Sequence, residues 1–271
     1  MGLLEVSYCS DRGMVRAHNE DAFLVVPPWR EPALSNGACL FAVADGMGGA
    51  ASGEIASRLA IDAICKGFSR LPPSERSVAV MESLVAEANQ AVFDHSRSHA
   101  ECAGMGTTLT AAVVFGGQAM IGHVGDSRAY LLRDGKLRRL TNDHTLVFEQ
   151  VRLGKLTPEE AQIHPARHIL SRALGVREFV NVDTQIFELA VGDAICLMSD
   201  GVSGPVSEEN FYRQLSTAPF RGVAKRLVQD ANQAGGPDNA TVVALRVDSL
   251  PISVPGRFSL ERFNGVVSEW W

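Results

Sequence analysis

Twice in this chain an apolar strand runs directly into an aspartate that is followed by glycine. Residues 40–44 lead into Asp45, and residues 194–198 lead through one serine into Asp200. A third acidic phrase, which contains Asp238, stands immediately before another apolar strand. In an antiparallel sheet the end of one strand lies beside the start of its neighbour. The three carboxylates are therefore predicted to converge at one end of a sheet.

Carboxylates that share a site repel one another, and each raises the pKa of the others unless a cation balances them. No Lys or Arg lies within these three phrases. Carboxylate, carbonyl and water oxygens are the ligands of hard divalent cations. The pattern predicts a divalent metal site.

The bulk composition narrows the class of partner. The chain has 271 residues, of which 46% are hydrophobic and 21% charged, so it can build a sizeable core. Its net charge of −6 argues against nucleic acid or an anionic membrane surface as the main partner. The five cysteines never occur as Cys-x-x-Cys, and residues 1–5 do not resemble a signal peptide. We therefore expect a reducing, cytoplasmic location.

The order of predicted elements indicates the fold class. Strands are predicted over 4–10, 22–26 and 39–44, then helices over 52–68 and 74–98, then strands over 107–115, 118–124, 129–133 and 136–140, with turns at 116–117 and 134–135. A polar, His-rich excursion follows at 141–172, with short helical pieces around 147–153 and 157–163. Strands over 182–187 and 193–198, helices over 208–215 and 220–232, and a strand over 240–247 complete the order. Strand–helix–strand alternation is rare, which favours two antiparallel sheets with helices outside, an α+β fold.

Several residues outside the acidic trio could contribute to the same chemistry. Arg16 suits bidentate capture of phosphate, and Glu20 and Asp21 could orient metal-bound waters. Each signal has a plainer interpretation: Asp-Gly is commonly a turn, residues 16–21 could be an ordinary polar loop, and Asp126 could cap a bend in which it pairs with Arg128.

The motifs taken together resemble one family, the metal-dependent protein phosphatases of type 2C in their short bacterial form. The matching phrases occur in the family's order over about residues 6–247: 10–13 through 16–21, 43–49, 104–108, 122–128, 140–144, 170–175, 198–201 and 236–241. Any single phrase is weak evidence, but the ordered set is specific.

The resemblance implies a four-layer α/β/β/α sandwich with two Mg²⁺ or Mn²⁺ ions at one end. It assigns roles residue by residue: Asp45 bridges both ions, the Gly46 carbonyl ligates the second, and Asp200 and Asp238 ligate the first. It places Glu20, Asp21 and Asn239 in support of metal-bound water, Arg16 on the substrate phosphate, and Asp126 with Asp200 at a weaker third metal. It also matches 141–172 to a flap beside the site, 1–248 to a phosphatase domain and 249–271 to a C-terminal extension.

The implied reaction is hydrolysis of phosphoserine or phosphothreonine by a hydroxide that bridges the two ions, without a phosphoenzyme. The implied partners are phosphorylated proteins made by a Ser/Thr kinase, and we expect a monomer. Several relatives have His after the Asp-Gly dipeptide, where this chain has Met47. A metal-bound water is the alternative proton donor to the leaving oxygen.

Two other functions fit the same residues. One is a metal-dependent hydrolase of small phosphoesters or nucleotides. The lack of a Walker-type Gly-rich loop weakens nucleotide binding and leaves small phosphoesters open. The other is a non-catalytic relative that binds a partner, which should have lost some of the acidic trio. All three aspartates are present.

Overall fold

The computed structural model describes residues 4–27, 38–48, 52–71 and 77–250. Its strands coincide with the alternating or continuous apolar stretches of the sequence, and most are buried on at least one face. They are β1 (Leu4–Asp11), β2 (Asp21–Val26), β3 (Cys39–Met47), β4 (Gly106–Thr107), β5 (Leu109–Phe115), β6 (Gln118–Val124), β7 (Arg128–Arg133), β8 (Lys136–Arg139), β9 (Asp183–Glu188), β10 (Ala194–Met198) and β11 (Ala240–Val247).

The helices within the described residues occupy the connections. They are α1 (Ser52–Arg70), α2 (Val78–Ser98), α3 (Leu146–Arg152), α4 (Pro158–Ile163), α5 (Asp200–Ser203), α6 (Glu208–Ser216) and α7 (Val223–Gln233), with 3₁₀ turns at Ala100–Cys102 and Phe220–Gly222. None of these helices combines the length and the apolar character needed to cross a membrane.

Two antiparallel sheets form the centre of the protein. One has the strand order β1-β11-β10-β7-β8, and the other has the order β2-β3-β5-β6-β9 with β4 attached to β3. Buried side chains fill three separate layers between the elements. One layer lies between the second sheet and α1 and α2, one lies between the two sheets, and one lies between the first sheet and α6 and α7. The predicted four-layer α/β/β/α sandwich is confirmed.

Most element positions predicted from the sequence are confirmed, including the turns at 116–117 and 134–135 and both short helices of the 141–172 excursion. The helix α4 begins with a capping box. The Thr157 side chain accepts from the Glu160 N–H, and the Glu160 side chain accepts from the Thr157 N–H. The predicted helix start at 74 and the segment 251–271 lie outside the described residues.

Two predictions of element bounds were wrong. The single strand predicted over 107–115 is divided at Thr108, because Thr108 directs its N–H and its hydroxyl to the backbone of Asp45 instead of continuing one ladder. The helix predicted to start at Phe220 begins as a 3₁₀ turn after Pro219, and the α-helix starts at Val223.

Candidate active site

Asp45 lies on β3, the second strand of its sheet. The backbone of Asp45 is fixed by Thr108: the Asp45 N–H donates to Thr108 Oγ1 (2.9 Å), and the Thr108 N–H donates to the Asp45 carbonyl (2.9 Å). Asp21, the first residue of β2, stands directly opposite Asp45 in the antiparallel register. Opposed residues project to the same face, so the two carboxyls are neighbours.

Asp200 and Asp238 come from the other sheet. Asp200 begins α5 just after β10, and Asp238 lies just before β11, the antiparallel neighbour of β10. The Asp238 carboxyl accepts from the Asn239 N–H (2.8 Å). A Cβ added to Gly201 would lie 2.0 Å from the Asn239 carbonyl oxygen, so only glycine permits this approach of the two strand ends.

A hydrogen bond joins the two sheets at this end. Ser199 Oγ, at the end of β10, donates to Asp21 Oδ2 (2.8 Å), while the Thr241 N–H donates to Ser199 Oγ (3.0 Å). The aspartates of both sheets are thereby held at one common edge. The sequence argument placed the three carboxylates at the end of one sheet, whereas the structure assembles them from two.

Asn239 organises the loop between β1 and β2. Its side-chain oxygen accepts from the Glu20 N–H (2.8 Å), and its amide group donates to the carbonyls of Arg12 (2.9 Å) and His18 (2.8 Å). Gly13, with φ +77°, passes so close to Asp238 that an added Cβ would lie 2.2 Å from its carbonyl oxygen. The loop that carries Arg16 and Glu20 is therefore fastened to β11.

Gly46 is surrounded by backbone. Its N–H donates to the Glu20 carbonyl (3.2 Å), and an added Cβ would lie 2.0 Å from the carbonyl oxygen of Gly53. The next residue, Met47, packs near Gly106, where an added Cβ would lie 2.6 Å from the Met47 methyl carbon. Gly49, part of the same motif, lies outside the described residues.

The carboxyls shift one another's pKa. Burial raises the pKa of Asp45 well above its usual range, and the charges of Asp21 and Asp200 raise it further. Burial, opposed in part by hydrogen bonds from Thr241 and Ser199, raises the pKa of Asp21 to about 7. Burial and then Asp238 raise the pKa of Asp200, and burial raises that of Glu20. Such mutual shifts mark groups that share one region of negative potential.

Arg16 is a basic side chain paired with this cluster. Its Nη2 donates to Asp238 Oδ2 at 2.6 Å, while about half of the Arg16 side chain remains exposed. The exposed part of the guanidinium can meet a ligand that arrives from solvent.

Asp126 lies in the turn between β6 and β7. Burial and then the charge of Asp200 raise the pKa of Asp126 to about 8, so it belongs to the same cluster. The plainer interpretation of Asp126, a bend held by an ion pair with Arg128, was wrong. Arg128 instead pairs with Asp143, donating to both of its carboxylate oxygens (3.1 and 2.8 Å).

Three functional neighbours were not assigned from the sequence. Thr108 and Ser199 stand inside motifs that were recognised, and their hydroxyls bind Asp45 and Asp21. His168 lies on the excursion, with its Nδ1 3.9 Å from Asp200 Oδ2. Spacing gives no signal for His168, because it is 32 residues away from Asp200 in the chain and reaches it only through the fold.

The donor set suits a hard cation. The carboxyls and the Gly46 carbonyl offer oxygen, and the buried Asp21 Oδ1 has no hydrogen-bond partner among the described residues. Within the ranges that the structure describes, no three His, Cys, Asp or Glu side chains already enclose a common point as metal ligands do. Repulsion between unbalanced carboxylates opposes such closure, and a divalent ion would relieve it.

A family comparison agrees with this geometry. The model of the family described as Protein phosphatase 2C matches residues 15–235, more than half of the chain. The chain therefore belongs to the protein phosphatase 2C family.

Known relatives extend over most of this chain. It is 42% identical over 238 residues to the serine/threonine protein phosphatase PstP of Mycobacterium tuberculosis, which covers 88% of this chain and 44% of PstP. It is 36% identical over 249 residues to the serine/threonine phosphatase stp of Listeria monocytogenes, covering 90% of this chain and 96% of stp. The chain thus spans less than half the length of PstP and almost all of stp.

A solved structure matches the fold. The crystal structure of the catalytic domain of PstP in complex with two manganese ions superposes with a TM-score of 0.80 at 38% identity. The match covers 92% of this chain and all of that one.

Proposed function

We propose that this protein is a metal-dependent serine/threonine protein phosphatase that hydrolyses phosphoserine and phosphothreonine in proteins. The observation that carries the proposal is the cluster of carboxyls at the common edge of the two sheets, with the half-exposed Arg16 beside it. The relatives PstP and stp, which match along most of this chain, are serine/threonine phosphatases, and this supports the proposal.

The ions proposed for the site are two Mg²⁺ or Mn²⁺ ions and a weaker third. The solved PstP complex with two manganese ions supports the first two. Asp45 would hold both ions, the Gly46 carbonyl the second ion, and Asp200 and Asp238 the first. Asp126 and Asp200 would hold the third. When bound, two such ions supply Lewis acidity and lower the pKa of a water between them, so that it can attack phosphorus without a phosphoenzyme.

The residues of the chain orient the substrate around those ions. Arg16 would release Asp238 and donate to the non-bridging oxygens of the phosphate, for which a guanidinium has matching geometry. Glu20 and Asp21 would accept hydrogen bonds from waters at the ions. Met47 has no titratable proton, so the group that protonates the leaving oxygen must be another, and we propose a water at the third ion.

The proposed domain covers residues 1–248 with a flap at about 141–172, and 249–271 forms an extension. The proposed partners are phosphoproteins made by a Ser/Thr kinase, with the enzyme acting as a cytoplasmic monomer.

The decisive experiment compares phosphopeptides with free phosphoserine, in chelator and after addition of Mn²⁺ or Mg²⁺. We expect no hydrolysis in chelator, recovery with either ion, and a clear preference for phosphopeptides. Full activity of the metal-free protein would contradict the two-ion mechanism. Equal rates on free phosphoserine would favour a hydrolase of small phosphoesters, and no hydrolysis under any condition would favour a non-catalytic binding protein.

A further inference from the structure

A buried histidine outside the acidic cluster makes two hydrogen bonds to the residue that precedes Asp126. His144 is only 1% exposed. Its backbone N–H donates to the Gly125 carbonyl (2.7 Å), and its ring Nδ1 accepts from the Gly125 N–H (3.0 Å). One residue therefore satisfies both backbone polar groups of Gly125.

The ring geometry fixes the role of each nitrogen. Since Nδ1 accepts a hydrogen bond from a backbone amide, the proton of the neutral ring sits on Nε2. His144 Nε2 lies 3.2 Å from Asp183 Oδ2 but outside hydrogen-bond geometry. The well-formed contact of the ring is the one toward Gly125.

The other side of Gly125 packs against the threonine that holds Asp45. Gly125 has φ +113°, and an added Cβ would lie 2.5 Å from Thr108 Cβ. Thr108 Oγ1 is 2.8 Å from Ser127 Oγ, and it also accepts from the Asp45 N–H. Both neighbours of Asp126, Gly125 and Ser127, are thus held against Thr108, which in turn binds the backbone of Asp45.

His144 also lies at the base of the excursion. The Ser171 N–H donates to the His144 carbonyl (2.8 Å), and the Leu146 N–H donates to the Ile169 carbonyl (2.9 Å). The two ends of the excursion, where the chain leaves and re-enters the sandwich, are therefore hydrogen-bonded to each other at His144, the residue that binds Gly125.

We propose that His144 is a positioning residue. Its Nδ1 fixes the Gly125 peptide and thereby sets where the Asp126 carboxyl stands relative to Asp45. The same contact joins the Gly125 peptide to the base of the 141–172 excursion. The expected effect of His144 on metal binding rests on the proposed function, in which Asp126 holds the weakest ion. The hydrogen bond between His144 and Gly125 does not depend on that function.

Two substitutions separate the two ring nitrogens. The side-chain oxygen of Asn falls near the place of Nδ1, so His144→Asn can still accept from the Gly125 N–H. The side-chain amide of Gln falls near the place of Nε2, so His144→Gln can still contact Asp183. It leaves the Gly125 N–H without its acceptor. Asp183→Asn is the matched control, because it changes the Nε2 side and the ion pair with Arg172 (2.6 Å) and leaves Nδ1 alone.

The first measurement needs neither metal nor substrate. Amide hydrogen exchange of Gly125 by NMR should be about as slow in His144→Asn as in the unsubstituted protein and at least ~10-fold faster in His144→Gln. Long-range ¹H–¹⁵N spectra of the unsubstituted protein should show the His144 proton on Nε2. A proton on Nδ1, or protection of Gly125 kept in His144→Gln, would overturn the proposal even if one variant did not fold.

The second measurement addresses the ion. Free Mn²⁺ followed by electron paramagnetic resonance should show a dissociation constant for the weakest ion raised about 10-fold in His144→Gln, with the tighter ions unchanged. On a phosphopeptide, kcat at limiting Mn²⁺ should fall about 10-fold and KM should stay constant, with recovery in excess Mn²⁺ or in His144→Asn. In the Asp126→Ala background His144→Gln should cause no further loss.

Additive losses, or the same defect in Asp183→Asn, would overturn the proposal. If the unsubstituted protein hydrolyses no phosphopeptide with Mn²⁺, the proposed function fails, and the exchange measurement still decides whether His144 holds Gly125.

Discussion

Replacing Asp21 with Asn should stabilise the metal-free protein. The Asp21 carboxyl is buried beside Asp45, and its pKa is raised from 3.8 to about 7. Between those two values the folded protein keeps a proton that the unfolded chain releases, so the free energy of unfolding falls as pH rises through this window. Above pH 7 the full cost of the buried charge is present, and Asn does not carry it.

The size of the effect follows from the shift in pKa. At about 1.4 kcal/mol per unit, the shift corresponds to about 4 kcal/mol at pH 8. Part of the residue's surface is open to solvent, and the charge is shared with Asp45 and Asp200, so we expect about half of this, ~2 kcal/mol. Asn retains an oxygen that can accept from Ser199 Oγ, so the link between the sheets survives.

Urea denaturation in chelator measures the change. The free energy of unfolding of Asp21→Asn should exceed that of the unsubstituted protein by ~2 kcal/mol at pH 8 and by about 1 kcal/mol less at pH 5.5. Asp62→Asn, an exposed acid on α1, is the control and should change neither value. A variant that is no more stable at pH 8, or equally stabilised at both pH values, would refute the reasoning.

Further predictions concern the ions and the substrate. Asp45→Ala should fold, lose turnover, and show a smaller rise in melting temperature with Mn²⁺ than the unsubstituted protein; an unchanged rise would place the stabilising ion elsewhere. Arg16→Ala should raise KM for a phosphopeptide about 10- to 100-fold with Mn²⁺ affinity retained, as expected for one charged hydrogen-bonding partner, and steady-state kinetics with metal titration checks this. The rise in melting temperature with Mn²⁺ should be larger at pH 8 than at pH 6. At pH 6 the carboxyls with raised pKa values hold protons that the ions must displace, and calorimetry at both pH values tests this. Gly13→Ala should destabilise the protein by more than Gly104→Ala, since both have φ near +78° but only Gly13 faces a carbonyl at 2.2 Å; equal losses in thermal denaturation would contradict the steric argument.

The fold was largely predictable because its signals are local. Apolar periodicity and the Gly-Gly and Asp-Gly turns define the strands, and a strand such as β6 has the predicted bounds. What could not be predicted depends on contacts between distant residues. The break at Thr108 exists because Asp45 lies against it, and the partner of Arg128 is Asp143 because β8 and the residues after it fold back beside β7.

The candidate site was predictable to the same extent. The motifs identified the acidic residues, but not that two sheets supply them or that Ser199 joins Asp21 across the interface. His144 belongs to the motif at 140–144, but nothing in its neighbours along the chain indicates that its ring reaches Gly125.

The pairing of β1 with β11 has a consequence for synthesis of the protein. β1 stands at the edge of its sheet, and its ladder partner is β11, more than 200 residues later in the chain. As the chain grows on the ribosome, β1 emerges well before β11 and stays without its partner until β11 appears. An unpaired strand is exposed to wrong pairing during that time. Because Asp238 immediately precedes β11, a nascent chain remains without its complete acidic cluster until synthesis of the sandwich is nearly finished. Partly synthesised chains therefore cannot act on phosphoproteins in the proposed way, and closing so long a loop makes folding slow.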